Sequence, residues 1–438
     1  MTHHHTRAFL GALVLSGAFL TVGCGTSSQS SSDAVTAVKP TPHGTVHGGQ
    51  QPVSGAAIQL YAVGTTGYGS ASTPLLSTSV STGPNGSFTI TGDYSCSGNP
   101  LVYMVASGGN PGLSSGTPNS AIVLLAALGS CNNLTSSTNI DINELTTVAA
   151  VWSLAPFMTD SAHIGSSATN PTGITNAFAT AAKLVDTATG TSPGAVAPSN
   201  ATLPVTTMNT LADILASCVN SSGGSSGDGS SCGTLFANSS IGGVPTDTSV
   251  AAVHMAKNPA LNASNLYGLM SADSSPFQPT LSTSPNDWTL SVSYTGGGLN
   301  KPAGLAVDAN GHLWMPNPIA NSVSEFDNNG NAISTASGFT GLNAPYALAI
   351  DTNGYVWIAN SGNNSLVEMS GAGTVLNNFT GGGLNQPRSI ALDASGTVWL
   401  GNKAAATVSG FSNAGTPLSS GFSSTSVTSP GGLVVDPQ

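Results

Sequence analysis

Side chains able to do chemistry are sparse in this chain. Of 438 residues only 6% are charged, with seven Lys and Arg against eighteen Asp and Glu, eight His and five Cys. A nucleophile elbow, Gly-x-Ser-x-Gly, sets its serine between a strand and a helix. The pattern occurs at 112–116, 190–194 and 223–227, each time in a loop-like stretch of a chain with 54 glycines, so chance accounts for it. There is no His-Glu-x-x-His run, phosphate loop or dinucleotide fingerprint in the sequence. Carboxylates paired for glycoside hydrolysis cannot be picked out. Asp308, Asp351 and Asp393 recur and could form a ring of carboxylates. Their Asp-x-Asn/Ser-Gly context makes turn-capping the better reading, because Asp bonds the backbone ahead of it and Gly accepts the positive φ of a hairpin. His312 occupies a slot filled by Tyr355 and Thr397 in the parallel stretches. His254 reads as a hydrogen-bonded structural histidine, and Glu144 as a helix-capping carboxylate. No catalytic, cofactor-binding or metal-ligating residue is assigned, and no cofactor is evident.

The aspartates belong to one pattern written three times and begun a fourth. The first copy runs Pro302, Leu305-Ala306-Val307-Asp308, Gly311, Trp314, Asn317. The second runs Pro345, Leu348-Ala349-Ile350-Asp351, Gly354, Trp357, Asn360, and the third Pro387, Ile390-Ala391-Leu392-Asp393, Gly396, Trp399, Asn402. The fourth opens at Pro430, and the successive prolines lie 43, 42 and 43 residues apart. A fixed period in the forties with short apolar runs and turn residues predicts a β-propeller, one repeat per blade. Each copy reads as a strand, an Asp-Gly turn and a return strand carrying Trp. A third strand follows (Val323 and Phe326, Leu366 and Met369, Val408 and Phe411), then a turn at Gly330, Gly373 or Gly415 and an outer strand. The recurring Trp is expected to pack between blades, since aromatic side chains dominate such contacts.

The pattern Pro-x-x-[Leu/Ile]-Ala-[Val/Ile/Leu]-Asp-x-x-Gly-x-[Leu/Val]-Trp-[Met/Ile/Leu]-x-Asn resembles the NHL-repeat propellers, including the bacterial branch that contains the streptogramin (virginiamycin B) lyases. The resemblance covers about a third of the chain and is specific for fold; propellers host binding scaffolds, lyases and hydrolases alike. It implies, for an enzyme of that group, a catalytic histidine and a divalent metal in the central channel. His312 is the only histidine of the repeat region, and neither the catalytic pair nor the metal ligands can be placed.

The amino terminus reads as an address. Arg7 precedes the apolar run from Ala8 to Leu20, the length of a signal-peptide core and short for a membrane span. Leu20-Thr21-Val22-Gly23-Cys24 then looks like a bacterial lipobox, with Cys24 as the lipidated first residue of the mature chain. Gly25 in place of Asp points by analogy to the outer membrane. Residues 1–23 are therefore expected to be a signal peptide and 24–42 a lipidated, Ser- and Pro-rich tether. A net charge of −11 with no basic cluster argues against nucleic acid. Export places the other four cysteines in an oxidising compartment. Three pairings are possible. Cys218 and Cys232 flank a Ser/Gly-rich loop and are the expected pair, leaving Cys96 with Cys131; a metal site is the alternative, without Cys-x-x-Cys or paired His to support it.

Between these ends, residues 43–117 show short alternating runs with turn signals, a small β-sandwich pattern. It resembles the carboxypeptidase-regulatory-like modules of exported bacterial proteins, spacers without catalysis. Residues 118–285 carry apolar faces at helical spacing: Val148, Val151, Trp152 and Ala155; Ile174, Phe178, Ala181 and Val185; Met208, Leu211, Leu215 and Cys218. Asp141 with Glu144 suggests a capping box before the first, and Asp247 a cap before a fourth helix. The fold class is multidomain: β-sandwich, mainly α-helical domain, then an NHL-type propeller over 286–438. The fourth copy stops after Asp436, so the propeller is expected to be incomplete, two or three blades short of six-bladed relatives. Residues 288–294 have the phase of an outer strand. The expected function is a cell-envelope lipoprotein whose propeller binds a protein or glycan. The alternative is a lyase or hydrolase acting in the channel.

Overall fold

The computed structural model describes residues 40–91, 94–114, 117–270, 275–426 and 428–436; Cys24 and the expected signal peptide lie outside them. The first part is built from β1 (His43–Gly48), β2 (Gln51–Pro52), β3 (Ala57–Ala62), β4 (Thr73–Pro74), β5 (Val80–Ser81), β6 (Ser87–Thr89), β7 (Leu101–Ser107), β8 (Val123–Ser130) and β9 (Asn139–Ile142). One sheet has the order β2-β1-β6, with β9 running parallel to β1. The other has the order β4-β3-β7-β8, with β5 also pairing β3.

The boundary expected at 117 is corrected by this pairing. β8 and β9 follow it, yet each completes a sheet of the sandwich. The reason lies in β7 and β8, which are apolar on both faces, as strands covered on both sides are. Side chains alternate across a strand. Val102, Met104, Leu124 and Ala126 face the sandwich core with Val46, Phe88 and Ile140. Tyr103, Val105, Leu125 and Ala127 face the other way, into the core of the helices. One sheet therefore serves two cores, and the helical layer is laid on the sandwich.

That layer contains α1 (Glu144–Leu154), a hairpin of β10 (Met158–Asp160) and β11 (His163–Ile164), α2 (Pro171–Leu184), then β12 (Ala201–Thr202) and α3 (Val205–Val219). It ends with α4 (Ser231–Asn238), α5 (Thr248–Lys257) and α6 (Ala263–Tyr267). The expected faces are buried: Ile174, Phe178 and Ala181 on α2, and Met208, Leu211, Leu215 and Cys218 on α3. Asp247 caps α5, accepting from the Ser249 and Val250 amides. The cap of α1 is corrected. Asn143 and Thr146 form the box reciprocally, and Asp141 sits in β9 instead.

The two expected disulfides are present, Cys96–Cys131 and Cys218–Cys232. The second ties the end of α3 to the start of α4 across a separation of 14 residues. Closing a loop of this size stabilises by about 3 kcal/mol in the chain-entropy description. Replacing both Cys218 and Cys232 by Ser is expected to lower the unfolding free energy by that amount in urea titration. An unchanged midpoint would mean that the turn built on Asp228, which accepts from the Ser225 and Ser230 amides, already holds the loop closed.

Residues 288–294 are corrected in part. Only β13 (Ser293–Tyr294) is a strand, and it pairs with β12 of the helical layer. Trp288 is fully buried in the helical core, and its carbonyl accepts from the Trp152 indole at 2.7 Å. Three antiparallel blades follow. The first is β14 (Ala306–Val307), β15 (Leu313–Asn317) and β16 (Ser322–Phe326), with an isolated bridge from Val323 to Phe339 in the outer position. The second is β17 (Pro345–Ile350), β18 (Val356–Asn360), β19 (Ser365–Met369) and β20 (Val375–Phe379). The third is β21 (Pro387–Leu392), β22 (Val398–Asn402), β23 (Thr407–Phe411) and β24 (Phe422–Ser423). The blades stack face to face in the manner of a β-propeller.

Candidate functional site

The repeated residues form one device per blade. Asp308 Oδ1 accepts from the amides of Asn310 and His312 at 2.8 and 2.9 Å. Asp351 does so from Asn353 and Tyr355, and Asp393 from Ser395 and Thr397. Each closes the turn at Gly311, Gly354 or Gly396, whose φ of 83°, 81° and 80° suit glycine. The second oxygen of each aspartate takes the indole N–H of Trp314, Trp357 or Trp399, at 3.3, 3.1 and 3.0 Å. The carboxylates are thus spent on the turn and the indole instead of facing one another. Burial alone would raise the pKa of Asp308, but the His312 amide and the Trp314 indole hold it below the usual range. The Ser395 hydroxyl and the Trp399 indole lower that of Asp393.

Asn317, Asn360 and Asn402 accept from the amides of Asn300, Asn343 and Asn385 at 2.9, 2.8 and 3.1 Å, tying each blade's lead-in loop to its second strand. The indoles contact Phe339, Phe379 and Phe422 with centroids 5.7, 5.9 and 5.8 Å apart, stacked at Phe379 and tilted at Phe339 and Phe422. Trp314 packs with Leu348 and Val356 of the second blade, and Trp357 with Val398 and Leu400 of the third. Both are buried, while Trp399 is half-buried. The outer-strand aromatics also close over the next blade. Phe339 lies on Gly373 and Phe379 on Gly415, leaving no room for a Cβ. Tyr294 lies on Gly330 in the same way, so it holds the phase of an outer strand although its partner strand comes from the helical layer. Asn200 strengthens that joint, its side-chain amide donating to the carbonyls of Thr295 and Gly330, each at 2.9 Å.

Only the first blade departs from this pattern. His312 Nδ1 lies 2.8 Å from Glu325 Oε1 and 3.6 Å from Asp308 Oδ2. Glu325 stands across from Trp314 in the strand register; its counterparts are Glu368 and Gly410. It is 2% exposed, and its other oxygen, Oε2, is buried without a partner. Burial raises the Glu325 pKa, and the His312 hydrogen bond opposes that. Sequence reading passed Glu325 over. The signal that could have found it is the strand pairing, which sets one of three glutamates opposite Trp314, within reach of the repeat's only histidine two residues earlier.

The first strands of the blades carry no histidine, aspartate or glutamate: β14, β17 and β21 read Ala-Val, Pro-Tyr-Ala-Leu-Ala-Ile and Pro-Arg-Ser-Ile-Ala-Leu. These residues do not fit a channel metal. The strands do hold the guanidinium of Arg388 4.5 Å above the ring of Tyr346, with Nε buried and unpartnered.

A second polar cleft, of about 420 Å³, lies where the β1–β2 turn meets the helical layer, lined by His47, Gly49, Asp141 and Asn143 among others. Glu144, the first residue of α1, is fully buried, and both its oxygens accept from the Gly49 amide at 3.0 and 2.9 Å. It does not cap α1; its helix start is capped by Asn143. Burial pushes its pKa up to about 8. His47 Nδ1 sits 3.2 Å from Asp141, which raises the imidazole pKa. His254 is hydrogen-bonded to the Ser239 carbonyl.

No family model matches the chain, and no curated protein matches it. Among solved structures, virginiamycin B lyase from Staphylococcus aureus aligns at 20% identity over 26% of this chain and 39% of its own, with a TM-score of 0.24. A nidogen/laminin complex aligns at 16% identity over 32% and 54%, with a TM-score of 0.27. The WD40 β-propeller domain of Doa1 aligns at 15% identity over 29% and 42%, with a TM-score of 0.25. The chain spans about half, or less, of the length of each. Likeness this distant carries no argument about fold or activity.

Proposed function

We propose that this chain is a cell-envelope lipoprotein whose NHL-type propeller is a binding scaffold for a protein or glycan, carried on the sandwich and helical layer. The binding reading rests on Arg388, the only arginine among the described residues. A partly exposed guanidinium stacked on an aromatic ring suits a carboxylate or a polar sugar face. The lipid anchor rests on the lipobox at Cys24, and the disulfides accord with export. The alternative, a lyase or hydrolase in the channel, needs a base there, and the first strands of the described blades supply no side chain for it.

Two measurements test the proposal. Membrane-fraction protein is expected to yield an amino-terminal peptide with lipid mass on Cys24; an unmodified chain starting elsewhere in the soluble fraction would overturn the anchor. Arrays of neutral and acidic glycans and of envelope proteins, probed with the full chain, are expected to show signals that Arg388→Ala lowers at least tenfold. Identical signals from the two proteins would overturn the binding role of Arg388.

A further inference from the structure

Asp308, His312 and Glu325 present three ligand atoms all within 4.8 Å of one another, and no other such group occurs among the described residues. We propose that they form a site for a first-row divalent cation such as Zn2+, set where the turn between the first and second strands of the first blade meets the third strand. The donor set is one imidazole nitrogen and two carboxylates. Nitrogen with oxygen suits Zn2+ and its neighbours, and an all-oxygen set would suit Mg2+ or Ca2+.

Four features support a built site. His312 Nδ1 and Asp308 Oδ2 stand 3.6 Å apart, close to the spacing of two ligands that each lie about 2 Å from one ion. The cation takes the place of the hydrogen bond between His312 Nδ1 and Glu325 Oε1. Glu325 Oε2, within a carboxylate that is 2% exposed, has no hydrogen-bond partner. A buried carboxylate oxygen without a partner is costly, and a bound cation relieves that cost. Asp308 is already oriented by the Asn310 and His312 amides and the Trp314 indole, the outer support that metal ligands usually have. His312 remains partly open to solvent, which leaves a way in and room for water as a further ligand.

The other blades argue that the site is not needed for the fold. Where the first blade has His312 and Glu325, the second has Tyr355 and Glu368, and the third Thr397 and Gly410. Glu368 is exposed to an ordinary partner, accepting from Asn377 at 2.7 Å. The same blade forms without the histidine, so a threonine or tyrosine in its place is compatible with the structure.

The test uses the full chain with His3, His4 and His5 replaced by Ala, stripped with chelator and titrated with ZnCl2 by calorimetry. One tight equivalent is expected, weakened at least tenfold by His312→Thr and by Glu325→Gln, while His163→Ala leaves it unchanged. Co2+ added to the same protein is expected to give visible absorption bands that one equivalent of Zn2+ removes. This readout needs no variant to fold. Zinc affinity equal in parent and His312→Thr, or the absence of cobalt bands, would overturn the site. Displacement of Zn2+ by an equal concentration of Ca2+ or Mg2+ would overturn the assignment of the nitrogen donor.

Discussion

Trp357→Ala is expected to destabilise the propeller by about 3–5 kcal/mol, the range for emptying a large aromatic position in a packed core. The indole is 1% exposed, stacked on Phe379 and packed against Val398 and Leu400 of the next blade. Its removal opens a cavity between two stiff sheets that cannot collapse onto it, and it takes the indole N–H from Asp351. Trp399 is the internal control. It has the same hydrogen bond and a comparable ring contact, tilted against Phe422, but is only half-buried. Trp399→Ala is expected to cost less than half as much. Urea unfolding followed by far-ultraviolet circular dichroism gives both numbers. Equal costs would mean that the tryptophans act through the turn hydrogen bond and not by packing blade on blade.

Stability is expected to fall as pH rises from about 5 to about 8, and Glu144 is expected to dominate the fall. Its folded pKa is about 8 against an ordinary 4.5, because burial disfavours the charged form. Asp213 follows, pushed up to about 6 by burial. His47 is raised by its hydrogen bond to Asp141. In all three the folded state holds a proton that the unfolded chain releases first. Between the unfolded and folded pKa values the folded state therefore binds more protons, and raising the pH favours unfolding. For Glu144 the shift amounts to on the order of 4 kcal/mol across the window. The lowered aspartates, Asp228, Asp287, Asp308, Asp327 and Asp393, act in the opposite sense and only in acid, where their contribution is lost on protonation. Glu144→Gln keeps an acceptor for the Gly49 amide and has no charge to bury, so the fall in melting temperature over this range should shrink to the smaller part left by Asp213 and His47. A wild-type melting temperature that is level or rising from pH 5 to 8, or a variant with the parent's slope, would refute the role given to Glu144.

What the sequence by itself determined is what repeats or is local. Pro302, Asp308, Gly311, Trp314 and Asn317 keep their offsets through three copies because a strand–turn–strand needs its Asp, its positive-φ Gly and its buried Trp at set distances along the chain. The helical faces around Phe178 and Leu211 follow from a 3.6-residue period, and the Asp247 cap from one turn of backbone. The Cys218–Cys232 pair follows from the Ser/Gly-rich loop between them, and Cys96–Cys131 by subtraction. Tertiary structure decided the rest. Val102 and Tyr103 are neighbours that lie in different cores, and only the pairing of β8 onto β7 after residue 117 makes both faces buried. Trp288 follows an outer-strand pattern in sequence but enters the helical core, where a large apolar surface has more to bury against. Asp141 and Glu144 look like a cap until β9 pairs beside β1 and brings His47 and Gly49 to them. Glu325 meets His312 through cross-strand register across 13 residues. Periodicity along the chain sets which face a residue takes, and long-range pairing alone sets what that face meets.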